Sequence, residues 1–410
     1  MENKRIKTNG KEQEPNINII KIKKSIVLIS LIFCGLFGMQ IFQVGAWSLN
    51  PGLKYPYLSF IGDPRYNMGI SCGTPYKCVL TLHYGTNKNN INQTIKENKE
   101  NYIHQFALKN LNASTKYYWY LSCNDENIKI DFFNKIYSFK TAPEPTLKEK
   151  IRLVAIGDTR PDIFGFSRFS HLNNMILKDN PDFIINVGDI VMSPGMSWQW
   201  DKFFYEIKGF AESGIPYMIS MGNHEYEEGE WLFGKDKGET YKKYMFFPGK
   251  ETYYAFNYSN AAFIFIDTNS DGLTEEQYSK VEQWLSAANK SNLIDWIIVS
   301  GHHARYHANG YDDRLIKFEN LFKKYNVNLY IAGHVHHYAR LKIDGITYLV
   351  EGGGGAETDI WLETTQNVEA SAITFEYTLI EIDNNELTLK TIDHSGIVID
   401  SDTIKAGGGE

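Results

Sequence analysis

Polar residues with metal-binding side chains follow glycine at five points in the second half of the chain. They occur in the stretches Gly157-Asp158, Gly188-Asp189, Gly222-Asn223-His224, Gly301-His302-His303 and Gly333-His334-Val335-His336. Carboxylate, amide and imidazole groups are ligands for Mn, Fe and Zn near neutral pH. An H-x-H pair on an extended segment also directs both rings to the same face. Each stretch alone is common in turns, whereas the ordered set of five predicts one shared metal site.

A ligand set of this kind supports metal-assisted hydrolysis. A carboxylate can bridge two cations and lower their mutual repulsion. Two ions about 3.5–4 Å apart clamp a phosphate group and lower the pKa of a bound water. The resulting hydroxide attacks phosphorus in line, opposite the leaving alkoxide.

The elements that must position these residues alternate between strand and helix. Apolar runs such as "IRLVAIG", "DFIINVG", "DWIIVSG" and "VNLYIAG" are separated by segments with helical spacing, such as "TEEQYSKVEQWLSAANK" and "DDRLIKFENLFKKY". This alternation predicts an α/β layered domain, in which chemistry collects at the carboxyl ends of strands. After about residue 346 the pattern returns to β, and these strands are predicted to complete a sheet of the same domain, residues 150–405.

Residues 50–143 have a different pattern, with short aromatic and β-branched runs separated by turn residues. The spacing predicts a small antiparallel β-sandwich. Cys78 opens one predicted strand and Cys123 closes another, so a disulfide between them is one option. The pairing among Cys72, Cys78 and Cys123 stays open, because spacing alone does not fix it.

The N-terminus consists of a polar, mostly basic tail (residues 1–24) and an apolar stretch (residues 25–47). The stretch is close to the length that spans a bilayer as a helix, and the lysines before it predict a cytoplasmic tail. An uncleaved membrane anchor is favoured over a signal peptide cleaved after Val44-Gly45-Ala46. Either reading predicts that the rest of the chain lies outside the cytoplasm, anchored or secreted.

Bulk composition limits the class of protein. With 410 residues the chain is too long for one typical core and predicts two or three domains. Its 43% hydrophobic and 22% charged residues are ordinary for a globular protein. The net charge of −7, without a Lys/Arg-rich stripe in the body of the chain, disfavours a nucleic-acid partner.

The ordered set "GD…GD…GNHE…GH…GHVH" resembles the calcineurin-like metallophosphoesterases. The stretches "LHYGT", "LKNLNASTKYYWY" and "YSFKTAPE" resemble the fibronectin-type-III-like N-terminal domain of purple acid phosphatases, and "GHVHHYAR" with "YLVEGGGGAE" strengthens that narrower match. The resemblance covers roughly residues 51–405. It implies an α/β layered metallophosphoesterase sandwich preceded by the all-β domain. The N-terminal transmembrane or signal segment lies before the matched residues and is predicted from its composition alone.

The resemblance also implies a role for each ligand. Asp158 and His336 would bind the first of two metal ions, and Asp189 would bridge both. The second ion would be held by three further residues, Asn223, His302 and His334. His224 would face the substrate, where it donates a proton or stabilises developing charge.

Two positions depart from the purple acid phosphatase pattern. Met192 stands where the family has a tyrosine whose phenolate colours a ferric ion, and Arg160 stands where the related families have glycine or a ligating histidine. Arginine stays protonated and does not bind metal. We therefore expect divalent or mixed-valence Fe, Mn or Zn without a purple Fe(III)-tyrosinate. Arg160 either binds a substrate phosphate oxygen or forms a surface ion pair, and His307 is a further candidate for the substrate face.

The sequence thus predicts an exported, dinuclear hydrolase of small phosphate esters that resembles an acid phosphatase. The alternative enzyme is a phosphodiesterase acting on nucleotides or phospholipid headgroups. The alternative of another class is a catalytically inactive surface protein that binds through its sandwich. The presence of all six predicted ligands and of His224 favours an enzyme, since a decayed site would have lost them, whereas Arg160 and Met192, which replace expected ligands, keep the inactive alternative open.

Overall fold

The computed structural model describes residues 52–162, 165–226, 236–363 and 366–406. The predicted tail (1–24) and apolar segment (25–47) lie outside these residues, so both stay predictions. Among the residues described, no helix has the length and apolar character needed to cross a membrane.

The N-terminal region is built of two antiparallel sheets. One sheet has the strand order β1-β2-β5 and the other β4-β3-β6-β7. The strands are β1 (Lys54–Ser59), β2 (Met68–Cys78), β3 (Leu80–Gly85), β4 (Gln93–Lys96), β5 (Asn101–Leu108), β6 (Lys116–Cys123) and β7 (Tyr137–Lys140). The prediction of a β-rich N-terminal region is confirmed, and its kinship with fibronectin type III stays a prediction. Cys72, Cys78 and Cys123 carry free thiols.

Two larger sheets follow, with the orders β10-β9-β8-β20-β21-β22 and β11-β12-β13-β16-β18-β17-β19, and a separate hairpin β14-β15. Their strands are β8 (Ile151–Ile156), β9 (Phe183–Asn186), β10 (Tyr217–Ile219), β11 (Tyr254–Tyr258), β12 (Ala261–Phe265), β13 (Trp296–His303), β14 (Tyr306–His307), β15 (Gly310–Tyr311), β16 (Leu329–Gly333), β17 (Tyr338–Ile343), β18 (Ile346–Glu351), β19 (Val368–Ala372), β20 (Glu376–Asp383), β21 (Glu386–Asp393) and β22 (Val398–Lys405). The strands after residue 346 complete both sheets of the α/β domain rather than one.

Helices flank these sheets. They are α1 (Phe169–Asp179), α2 (Ser197–Ser213), α3 (Asn223–Tyr226), α4 (Glu239–Tyr244), α5 (Glu275–Lys290) and α6 (Ile316–Lys324). Helix α1 packs against β20, and α5 packs against β12 and β13. Helix α5 begins where the Thr274 side chain accepts a hydrogen bond from the backbone N–H of Gln277, and two glutamates in its first turn complement the helix dipole.

The core is aromatic where the sheets meet. The ring of Phe183, on β9, lies edge to face with that of Phe263, on β12, at a centroid distance of 5.1 Å. Phe60, just after β1, reaches both layers, with centroid distances of 5.6 Å to Phe183 and 5.0 Å to Phe256. This cluster therefore joins the N-terminal region to both large sheets. Burial of each phenylalanine side chain stabilises the folded chain by about 2 kcal/mol.

An ion pair strengthens the same junction. Lys54, on β1, is 2% exposed, and its Nζ donates to Asp201 Oδ1, on α2, at 2.7 Å. The ammonium group also lies 4.8 Å from the ring centroid of Tyr244. Burial lowers the pKa of Lys54 even though Asp201 opposes the shift. The positive charge of Lys54 is therefore stabilised by Asp201, and removing Asp201 would leave a buried charge without a partner.

Candidate metal centre

The ligands predicted from the sequence lie where strands from both large sheets end. Strands β8, β9 and β10 are parallel neighbours in one sheet, and β12, β13 and β16 are parallel neighbours in the other. Their carboxyl ends meet at one edge, as in other open α/β sheets. Contacts across the two sheets, such as that between Asp158 and His334, close the site.

Three of the predicted ligands have left-handed backbone conformations. The φ angles of Asp158, Asp189 and His334 are 51°, 55° and 72°. Such angles cost free energy for residues other than glycine and are concentrated at functional sites. Gly188 has φ 105°, and a Cβ there would lie 2.7 Å from the backbone nitrogen of Gly222. The chain therefore bends sharply at each strand end and turns the next side chain inward.

The first metal position is formed by Asp158, Asp189 and His336. One ligand atom from each lies within 4.8 Å of the others. Asp158 Oδ2 accepts a hydrogen bond from the backbone N–H of His334 at 2.9 Å, and Oδ1 lies 3.4 Å from His336 Nε2. Asp158 is fully buried, and its Oδ1 has no hydrogen-bond partner among the described residues. A buried carboxylate oxygen without a partner is costly, so a cation fits this position.

The second position lies on the other side of Asp189. Asn223 Oδ1 lies 3.0 Å from His302 Nε2 and 2.9 Å from His334 Nδ1. Asp189 Oδ1 lies 3.2 Å from His302 Nε2. An amide oxygen, two imidazole rings and a carboxylate thus converge on one point. All six predicted ligand residues, Asp189 included, therefore lie together.

The histidine rings are oriented by backbone carbonyl groups. Nδ1 of His302 donates to Val187 O at 2.9 Å, that of His224 donates to Met192 O at 2.8 Å, and that of His336 donates to Glu357 O. Because Nδ1 carries the proton in each case, Nε2 of the neutral ring presents a lone pair to the centre. This arrangement is typical of metal-binding histidines.

The electrostatics of the centre favour positive charge beside Asp189. Burial opposes ionisation of Asp189, but the neighbouring His302 and His224 outweigh it and hold the pKa of Asp189 well below its ordinary value. Burial likewise lowers the pKa of His302, yet the charge of Asp189 outweighs it and raises that pKa to about 9. A cation bound beside Asp189 would find the same favourable field.

Glu225 is a supporting residue that the sequence analysis did not assign. Its buried carboxylate accepts backbone N–H groups of Asp189 at 2.9 Å, Ile190 at 2.8 Å, Val191 at 3.1 Å and Gly222 at 2.8 Å. Burial and the charge of Asp189 raise the pKa of Glu225 to about 7. The residue fixes the loop that carries the bridging aspartate. The sequence feature that could have indicated this residue is its place at the end of the "GNHE" motif, directly after the predicted ligand Asn223 and His224.

A second support is a pair of buried carboxyl groups, Glu351 and Glu376, which link the two large sheets beneath the glycine loop after β18. Glu376 Oε1 accepts from the backbone N–H of Gly353 at 2.9 Å. Farther along this loop, the N–H of Ala356 donates to the backbone carbonyl of Asp158 at 2.8 Å. Burial raises the pKa of Glu376 to about 7, and burial together with Glu376 raises that of Glu351 well above its ordinary value. The pair was not predicted from the sequence.

Arg160 and Met192, the two departures from the family pattern, contact each other beside the first position. Arg160 Nη1 lies 3.0 Å from Met192 Sδ, and Arg160 Nε lies 3.9 Å from Asp189 Oδ2. The Arg160 side chain is 12% exposed. The guanidinium is therefore mostly buried beside the centre, and both of its roles, phosphate binding and an ion pair, stay predictions.

Three histidines outside the predicted ligand set, His224, His303 and His307, lie at different distances from the centre. His224 Nε2 lies 3.7 Å from Asp189 Oδ2, at the centre. His303 packs its ring 4.3 Å from that of His334 and its Nδ1 lies 2.9 Å from Thr268 Oγ1. His307 lies in the hairpin β14-β15, with its ring 6.1 Å from that of His337, which in turn contacts Asp359. His224 thus lies beside Asp189, and His303 packs against the predicted ligand His334.

Comparison with known proteins agrees with this fold. Residues 151–338 match the calcineurin-like phosphoesterase family. Purple acid phosphatase PPD1 from seeds of yellow lupin (Lupinus luteus) has a similar solved structure, with a TM-score of 0.73 at 22% identity, over 87% of this chain and 75% of that one. This likeness shows an α/β metallophosphoesterase fold with a β-rich N-terminal region.

Curated plant proteins are also similar in sequence. The chain is 26% identical over 419 residues to probable inactive purple acid phosphatase 1 of Arabidopsis thaliana, covering 89% of this chain and 63% of that protein. It is 25% identical over 271 residues to a nucleotide pyrophosphatase/phosphodiesterase of Hordeum vulgare, covering 54% of this chain and 73% of that protein. The chain thus spans less than two thirds of the length of the first relative.

Proposed function

We propose that this protein, whose residues 151–338 match the calcineurin-like phosphoesterase family, uses two metal ions to hydrolyse small phosphate monoesters. The observation that carries the proposal is the clustering of six ligand side chains, Asp189 among them, with a buried oxygen on Asp158 that has no hydrogen-bond partner among the described residues. Fe, Mn or Zn suits such a set of oxygen and nitrogen donors. The ions would supply Lewis acidity and activate a water molecule.

The residues of the chain would divide the remaining work. Asp158 and His336 would hold the first ion, Asn223, His302 and His334 the second, and Asp189 both. His224 would act on substrate through Nε2, because its Nδ1 is already committed to the carbonyl of Met192. As an imidazolium it would donate to the leaving oxygen or stabilise charge on the phosphate.

A phosphodiesterase is the second candidate. The similarity to a protein named as a nucleotide pyrophosphatase/phosphodiesterase favours it. The inactive alternative is supported by the name of the Arabidopsis relative, and is opposed by the presence of all six ligands predicted from the sequence. We further propose, from the N-terminal residues 25–47, that the enzyme acts outside the cytoplasm.

The test is to purify the full-length chain, measure bound metals by elemental analysis, and assay p-nitrophenyl phosphate and bis-p-nitrophenyl phosphate with Mn, Zn or ferrous iron restored. We expect about two metals per chain and faster cleavage of the monoester. Faster cleavage of the diester would favour the phosphodiesterase. Absence of bound metal together with absence of turnover would refute both enzymes.

Histidine variants assign the roles. His336→Ala should lose metal, since it removes a ligand of the first position. His224→Ala should keep its metal and lose roughly 10²–10⁴-fold in rate. His83→Ala is the matched control, because His83 stacks on Tyr120 in the N-terminal region, 4.3 Å between ring centroids. Loss of metal from His224→Ala would contradict its assignment to the substrate.

A further inference from the structure

The two metal positions have unequal electrostatic surroundings. The second is lined by Asn223, His302 and His334 and shares Asp189 Oδ1, which lies 3.2 Å from His302 Nε2. The other oxygen of the bridging residue, Asp189 Oδ2, lies 3.9 Å from Arg160 Nε and 3.7 Å from His224 Nε2. One oxygen of the bridging carboxylate therefore faces a predicted ligand histidine, whereas the other faces the guanidinium of Arg160.

Arg160 is also fixed beside the first position by its main chain, since its backbone N–H donates to the carbonyl oxygen of Asp189 at 2.9 Å. Guanidinium does not release its proton. At 12% exposure its charge is poorly screened by solvent. A divalent ion bound by Asp158 and His336 must therefore sit close to a permanent positive charge.

The Arg160 side chain has an unused donor. Its Nε has no hydrogen-bond partner within the described part of the chain, and it is buried. Among the residues described, Nη1 approaches the weakly accepting sulfur of Met192, at 3.0 Å. A buried guanidinium N–H beside the predicted metal ligands is best satisfied by an anionic oxygen, because charge-assisted bonds to phosphate are the strongest that arginine makes.

We infer that Arg160 makes the first metal position dependent on phosphate: the second position binds its ion tightly alone, and the first binds weakly until a phosphate group arrives. The phosphate supplies the negative charge that offsets Arg160 and accepts its free N–H. This inference rests on the proposed function for the identity of the anion. Because linkage is reciprocal, metal at the first position must tighten phosphate binding by the same factor that phosphate tightens metal binding.

The experiment titrates Mn²⁺ into the metal-stripped, full-length chain and follows free Mn²⁺ by electron paramagnetic resonance, with and without inorganic phosphate. We expect two binding events whose Kd values differ by at least about tenfold. Phosphate should tighten only the weaker event. Asp158→Asn should abolish the weaker event and keep the stronger one.

Arg160 variants then separate charge from structure. Arg160→Gln should tighten the weaker event by about tenfold and reduce the effect of phosphate, because the opposing charge and the donor are both lost. Arg160→Lys should keep the difference between the two events. Arg168→Gln is the matched control, since it removes an equal charge from an arginine that instead lies over the ring of Phe375, 5.8 Å from its centroid. Thermal melts confirm that each variant is folded.

Several outcomes would overturn the inference: equal affinities in the parent chain, an unchanged weaker event in Arg160→Gln, or loss of the stronger event in Asp158→Asn. If Arg160→Gln fails to fold, the Asp158→Asn and phosphate titrations still decide. These titrations measure binding and not turnover, so they test the inference separately from the proposed function. A protein that shows the expected binding here but hydrolyses neither ester in the turnover assay would refute the proposed function alone.

Discussion

Replacing Glu225 by glutamine should cost more stability than such a conservative change usually does. The carboxylate accepts four backbone N–H groups, from Asp189, Ile190, Val191 and Gly222, at 2.8–3.1 Å. Glutamine keeps one acceptor oxygen and places an NH₂ group where the second oxygen was. The donors of Asp189 and Gly222, both bound to Oε2, would then face another donor.

The magnitude follows from those two lost bonds. A buried donor left without a partner costs about 1–3 kcal/mol, so Glu225→Gln should lower the free energy of unfolding by about 4 kcal/mol. The loop carrying Asp189 should also loosen. Since supporting residues of metal ligands typically contribute 10- to 100-fold in affinity, Mn²⁺ binding should weaken by about that factor.

The assay is urea unfolding of the metal-stripped, full-length chain, with Mn²⁺ titration as the second readout. Glu381→Gln serves as the control, because Glu381 pairs with Arg152 and Lys150 at the surface with a side chain 24% exposed. It should cost less than about 1 kcal/mol. If Glu225→Gln unfolds like the control and binds Mn²⁺ like the parent chain, Glu225 does not organise the bridging loop.

Three other predictions test separate parts of the fold. Lys54→Met should destabilise the chain by about 2 kcal/mol in calorimetry, because it leaves the partly buried carboxylate of Asp201, 25% exposed, without its cation, and adding Asp201→Leu should restore much of the loss. Because the pKa of Glu376 is raised to about 7, its contribution to stability is full below pH 4.5, the ordinary value, and declines as pH rises through 7. Glu376→Gln should therefore flatten the pH dependence of the melting temperature over that interval; an unchanged slope would contradict the shared burial of Glu351 and Glu376. Iron-loaded protein should lack a visible charge-transfer band, because Met192 offers no phenolate, and a purple solution would show this to be wrong.

The positions of the ligands were predictable because the signal is local. A buried parallel strand reads as an apolar run, and glycine followed by a ligand residue marks its carboxyl end. The order of the five motifs then predicted which side chains share a site. In the structure, Asp158, Asp189, Asn223, His302, His334 and His336 all lie at that edge.

Contacts distant in sequence could not be predicted in this way. Strand β18 pairs with β16 in one sheet, whereas β20 pairs with β8 in the other. The sequence patterns of β18 and β20 predict strands but do not indicate which sheet each strand joins. Glu225 is part of the "GNHE" stretch, but its partners could not be predicted, because its donors at residues 189–191 lie about 35 positions earlier in the chain. Likewise, the contact of Arg160 with Met192 joins residues 32 positions apart.

The cluster of Phe60, Phe183 and Phe256 has a consequence for how the chain responds to proteolysis and heat. Because Phe60 follows the first strand of the N-terminal region but packs on both large sheets, cutting between residues 141 and 150 would not liberate a self-sufficient catalytic fragment. The exposed rings would have to be covered again or would promote aggregation. Residues 50–406 should accordingly melt in a single cooperative transition, and the N-terminal strands act as a structural part of the phosphoesterase rather than as a detachable module.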